Sequence, residues 1–202
     1  MSEFLVLRAL RLKGRADAAG LAGATGLPED EAAGIAAKLI EAGDAREVRE
    51  FVMLTAPGRD RLNAMLDEER AGVDQGAMSA VYEDFTSVNG DFKVLASDWQ
   101  MKDGELNDHG DAAYDQSVLG RLPGIHERVS PIVARSAELA PRLSPYAGRF
   151  ADALQKVQAG DTSWLLKPLI DSYHTVWFEF HEELIGLAGL SREAEAASGR
   201  AE

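Results

Sequence analysis

Apolar residues recur at three- and four-residue steps through most of the chain, the spacing of one face of an α-helix. The densest run is WLLKPLIDSYHTVWFEFHEELIGLAGL, Trp164 to Leu190. Leu166, Leu169, Ile170, Tyr173, Val176, Trp177, Phe180, Leu184 and Leu187 predict one helical face, and Phe178 and Ile185 widen it. Asp161 or Thr162 is the expected cap and Pro168 an expected bend in the first turns. A helix apolar over so much of its circumference belongs among several partners. Upstream, Met78, Val81, Tyr82, Phe85, Val88, Phe92, Leu95 and Trp99 predict a helix from Gln75 to Met101, followed by the loop KDGELNDHGD. A further helix, Asp111 to Leu139, should kink or split at Pro123 or Pro131, and another spans Ser144 to Ala159. Four long helices on short loops predict an antiparallel four-helix bundle over residues 71–190. Residues 191–202, small and charged, read as a flexible tail.

The first 70 residues follow a different pattern. Glu3 to Lys13 reads as a helix with Phe4, Leu7, Leu10 and Leu12 turned inward, stopped by Gly14. Asp17 caps a short helix, Ala18 to Thr25, closed by Gly26, and Pro28 opens a third from Glu29 to Ala42. Two extended runs, Ala45 to Val48 and Phe51 to Leu54, flank Arg49 and Glu50 as a tight hairpin, and Thr55, Pro57 and Gly58 start a returning helix. The order helix, helix, helix, strand, strand, helix predicts a winged helix-turn-helix with a two-stranded wing. The fold class expected for the whole chain is mainly α.

The words FVMLTAPGRDRL at 51–62 resemble the wing strand and following helix of MarR- and PadR-type regulators, which read as a strand, then Leu-Thr, then Gly-Arg. The resemblance covers residues 4–70. It implies a dimeric bacterial transcription regulator, with the third helix in the major groove and the wing on the adjacent backbone. Lys38, Arg46 and Arg49 are the DNA-contacting residues it implies. The third helix opens with Glu29, Asp30 and Glu31, which would face phosphates, so the fold equally suits docking to a protein partner. The segments DSYHTVWFEFHEEL, DWQ and NDHGDAAYD also faintly resemble winged-helix tails associated with actinobacterial enzymes that use phosphoenolpyruvate. That likeness implies an accessory interaction module of a phosphotransfer system.

Charge sharpens the conflict over nucleic acid. The formal net charge is −13, and a surface of that sign repels phosphate backbones unless a basic patch is set aside. Residues 1–70 carry ten Lys+Arg against thirteen Asp+Glu, so even the less acidic part is not basic. Arg8, Arg11, Lys13 and Arg15 join Arg46 and Arg49 as the cationic cluster. The chain contains no cysteine, which excludes disulfides and thiolate chemistry and fits a cytoplasmic protein. The amphipathic start MSEFLVLRALRLKGRAD is not a signal sequence, and no run approaches the roughly 20 apolar residues needed to span a membrane.

Three polar clusters carry candidate chemistry: Asp98, Trp99 and Gln100; Asn107, Asp108, His109, Asp111, Tyr114 and Asp115; and Asp171, His174, His181 and Glu182. Asp171, His174 and His181 at helical spacing could hold a divalent metal, with Asp108 and His109 reaching across. Asp108 reads more simply as a helix N-cap, and histidines on an aromatic face more often belong to a hydrogen-bonded core. No calcium loop, di-iron repeat, nucleophile elbow or phosphate-binding glycine loop is present, so no catalytic residue is assigned. The expectation that remains is a small-molecule site with no cofactor. Asp98, Trp99, His109, Tyr114, Tyr173, His174, Trp177 and His181 would form its aromatic walls and polar anchors.

Overall fold

Residues 2–190 are described in a computed structural model, mainly helical with two small antiparallel hairpins. The expected tail, 191–202, lies outside the described residues. The chain divides into two compact units between Val73 and Asp74.

The first unit runs α1 (Ser2–Lys13), α2 (Ala18–Thr25), α3 (Glu29–Glu41), β1 (Ala45–Val48), β2 (Phe51–Leu54) and α4 (Ala56–Ala71). The Asp17 carboxylate caps α2 by accepting from the Gly20 N–H at 2.8 Å, and Gly26 ends it with φ 72°. In the hairpin turn Arg49 takes φ 62°, and Ala45 lies opposite Leu54, Val48 opposite Phe51. Ala16 adds a bridge to Val52 that the sequence pattern does not reveal. Leu7, Leu10, Leu21, Leu39 and Leu62 are fully buried at the centre. Arg8, counted in the cationic cluster, is buried, with its guanidinium over the Phe4 ring one turn away on the same helix.

Hairpin and α4 meet at one crowded point. Thr55 caps α4 by accepting from the Gly58 N–H at 3.2 Å, while its hydroxyl donates to the Gly43 carbonyl at 2.6 Å and its own N–H donates to the Asp44 carbonyl. A Cβ on Gly58 would sit 1.9 Å from that Asp44 carbonyl oxygen. The Leu-Thr…Gly-Arg word at 54–59 is therefore a packing requirement: threonine ties the helix start down, and glycine lets the backbone pass.

The second unit begins with α5 (Gln75–Gln100), capped by Asp74. It continues through β3 (Met101–Lys102), β4 (Glu105–Leu106), α6 (Ala112–Leu119), α7 (Leu122–Leu139), a 3-10 turn (Pro141–Leu143), α8 (Pro145–Gln158), α9 (Ser163–Leu166) and α10 (Tyr173–Leu187). Helix α5 packs on α7 and α10, and α8 packs on the same two, closing a ring of four. Three local expectations need correction. The loop after α5 contains the β3–β4 hairpin. Asp111, not Asp108, caps the following helix, because it accepts from both the Ala113 and Tyr114 N–H groups, whereas Asp108 accepts only from Gly110. The run from Trp164 to Leu190 is two helices rather than one bent helix. Pro168 removes a donor and holds Lys167 extended, and Ser172 recaps the chain by accepting from Thr175. Leu169, assigned to the buried face, is 89% exposed with φ 69°.

Two glycines separate the effects of space and conformational freedom. Gly58→Ala should lower the stability of the first unit by about 1–3 kcal/mol through overpacking. Gly90→Ala, in mid-α5 where an added Cβ meets nothing within 4 Å, should raise stability by about 0.5–1 kcal/mol. Urea unfolding of the full chain reads both signs.

Candidate functional site

Helix α10 arranges its side chains in three stripes, since residues advance roughly 100° apiece around an α-helix. Tyr173, Val176, Phe180, Leu184 and Leu187 form the buried apolar stripe. On one flank Glu179 and Glu183 also point inward, only 2% and 4% exposed. Arg149 of α8 donates to Glu179 at 2.6 Å and to Asp171 at 2.8 Å, and Arg142 donates to Glu183 at 2.8 Å. Tyr146 completes the cluster with a hydrogen bond to Glu183 and its ring against the Arg149 guanidinium. Burial alone would lower the pKa of Arg149, but the charge of Glu179 and the bond to Asp171 outweigh it, and the pKa is raised. These buried pairs went unread in the sequence, although Glu179 and Glu183 stand one helical turn apart inside an apolar run.

The other flank carries His174, Trp177 and His181 toward α5. His181 lies against Tyr82 and Phe85, with its Nε2 3.4 Å from the Tyr82 hydroxyl. The Trp177 indole stacks on Phe92 at 4.4 Å and donates to the buried Asn89 amide oxygen at 2.8 Å. Contacts climb α5 as they descend α10, so the two helices run antiparallel. Between them is a recess of about 290 Å³, lined by His174, Trp177 and His181 with Asn89, Lys93 and Gln100 among others. Three expected residues thus share one cavity, and Asn89 and Lys93 are its unforeseen members.

The remaining candidates separate. Tyr173 is fully buried behind the recess, where burial pushes its phenol pKa up and its hydroxyl lies 3.3 Å from His126 Nδ1. His126, itself partly buried, has its pKa lowered by desolvation, which Glu127 partly offsets. Tyr114 donates to the Asp98 and Met101 carbonyls, and the Asp98 carboxylate accepts from Arg121. These contacts tie α6 and the start of α7 to the end of α5 and to β3, and Asp98, Tyr114 and Tyr173 line neither the recess nor the groove beside it.

Trp99 and His109 line that groove, with Met101, Leu106, Asn107 and Lys167, and their rings are 4.4 Å apart. Asn107 commits both amide hydrogens, to the Trp99 carbonyl at 3.1 Å and to Asp115 Oδ1 at 2.9 Å. Asp115 reaches the imidazole with its other oxygen, Oδ2 lying 3.0 Å from His109 Nδ1, so one carboxylate holds both Asn107 and His109 in place.

The metal arrangement suggested by Asp171, His174 and His181 does not form as expected. Asp171 lies outside α10 and accepts from Arg149, and among the described residues no group of three or more His, Asp or Glu is placed to hold an ion. In the first unit Lys38, Arg46 and Arg49 are all exposed, as are Glu29, Asp30 and Glu31 at the start of α3. Compared with protein-family models, curated proteins and solved structures, the chain matches none.

Glu179→Ala would remove the more deeply buried of the two carboxylates that answer Arg149 and leave Asp171 alone to do so. The expected loss is about 3–5 kcal/mol of stability, read by urea unfolding, whereas replacing both Glu179 and Arg149 with apolar residues of similar volume should recover most of it.

Proposed function

We propose that the protein is a ligand-responsive regulator: a winged helix in the first unit, an antiparallel four-helix bundle in the second, and a small acidic or aromatic molecule in the recess between α5 and α10. The single observation carrying this is the recess itself, where aromatic walls from Phe92 and Trp177 meet polar groups from Asn89, Lys93, His174 and His181. Apolar walls with a few convergent polar anchors are the usual make-up of such a site. Helix α5, which forms one wall, begins directly after the first unit, so occupancy can bias how two copies of the chain present their winged helices. Titrating the full chain with benzoate should quench tryptophan fluorescence. His174→Ala, at an exposed position, should weaken that response by about tenfold, equivalent to about 1.4 kcal/mol. Absence of any response rejects the site.

The output partner follows from the first unit. A DNA-binding homodimer would use Lys38, Arg46 and Arg49 on phosphates, and Arg46→Glu with Arg49→Glu should abolish duplex binding at low salt. Each such contact contributes about 0.9 to the salt slope. The exposed acids Glu29, Asp30 and Glu31 favour a second output, a basic protein surface docked on α3. In that case duplex DNA fails to bind at low salt, and co-purification recovers a partner that charge reversal on α3 releases.

A further inference from the structure

We propose that the recess and the neighbouring groove are one trough whose ligand is an amphiphilic carboxylate, its head beside Lys93 and His174 and its aliphatic tail along the β3–β4 hairpin. The trough presupposes that the recess is a small-molecule site. Gln100 and Leu166 line both cavities, so the two are contiguous along α5 and the end of α9. At about 290 Å³ the recess alone lies at the small end of ligand sites, which run from about 300 to 1,000 Å³. The groove adds about 540 Å³ of more open space.

Chemistry changes along the trough. The recess gathers Asn89, Lys93, Ser97 and the two histidines, while the groove is walled by Trp99, Met101, Leu106 and Leu166. Among the described residues lining either part there is a lysine in each and no carboxylate, in a chain of net charge −13. Such a lining attracts an anion where the rest of the surface repels it. At the groove end Met101 and Leu106 are cross-strand partners left 37% and 81% exposed. Apolar side chains placed together at a cavity mouth gain free energy when a hydrocarbon tail covers them. The hairpin that carries them is held by Asn107, Asp115 and the Tyr114 hydroxyl, so the wall is in place before the ligand arrives.

The test is a tryptophan-fluorescence titration of the full chain with acetate, butanoate, hexanoate, octanoate and decanoate, with benzoate and octanol alongside. The dissociation constant should fall by about two- to fourfold per methylene as the tail covers the groove, and octanol should bind more weakly than octanoate. Leu106→Asp, at a position exposed enough to leave folding intact, should flatten the series from hexanoate upward and leave butanoate and benzoate unchanged. Lys93→Gln should weaken every carboxylate alike. A flat series with benzoate still bound overturns the trough and keeps the recess. A steep series that ignores Leu106→Asp also overturns the trough. Failure of benzoate and all the carboxylates removes the recess as well.

Discussion

The second unit depends on a guanidinium placed where water cannot reach it. Arg149 lies between Glu179 and Asp171 with its own side chain almost wholly buried. Desolvating these charges costs several kcal/mol per ion, and their mutual attraction repays this only when the geometry is good and the remaining hydrogen bonds are made. With Arg142 and Glu183 beside it, the cluster contributes rotational register more than net stability. Turning α10 by one residue would keep much of its aromatic surface covered but strand both carboxylates. Because Glu179 and Glu183 must face α8, the opposite flank must face α5, and that flank carries His174, Trp177 and His181.

The interruption between Lys167 and Ser172 follows from the same register. A helix running unbroken from Trp164 would carry Leu166 and Leu169 around with α10. Pro168 breaks it, Leu169 adopts the left-handed conformation in solvent, and Ser172 restarts the helix in the phase that the ion pairs require. Leu166 is thereby released from the α10 stripe and becomes part of the wall shared by recess and groove.

Most of the first unit was legible because its boundaries are written in backbone chemistry. Asp17, Gly26, Pro28, Gly43 and Thr55 each act within a few residues, and the helices and strands start and stop beside them. The second unit was legible in its helical period but not in its breaks. Pro168 was visible as a bend, yet the restart at Ser172 was hidden because apolar residues continue on both sides at nearly helical spacing. Asp108 and Asp111 both look like caps, and only the backbone path decides which meets two free N–H groups. Of the candidate site, the α10 members were legible as polar residues within an aromatic run. Asn89 and Lys93 were not, since they lie some 80 residues away in sequence and only the antiparallel pairing of α5 with α10 brings them to the recess.

Charge placement decides how far each part can act on an anion. Net −13 is the outward balance, and many of the cations within it are held by acids of their own unit: Arg61 serves Glu3 and Asp44, Arg121 serves Asp98, and Arg142 and Arg149 are buried with their partners. Counterion release, the main source of affinity for a nucleic-acid backbone, scales with the cations that reach phosphates. In the first unit Lys38, Arg46 and Arg49 would have to supply it against three carboxylates at the start of α3. A single carboxylate entering the proposed trough would meet a different lining, with Lys93 and Lys167 among the residues that wall it. The same acidic chain that handicaps a long polyanion would, on the proposed reading, leave a small place for a monovalent anion, and a regulator of that kind needs only one.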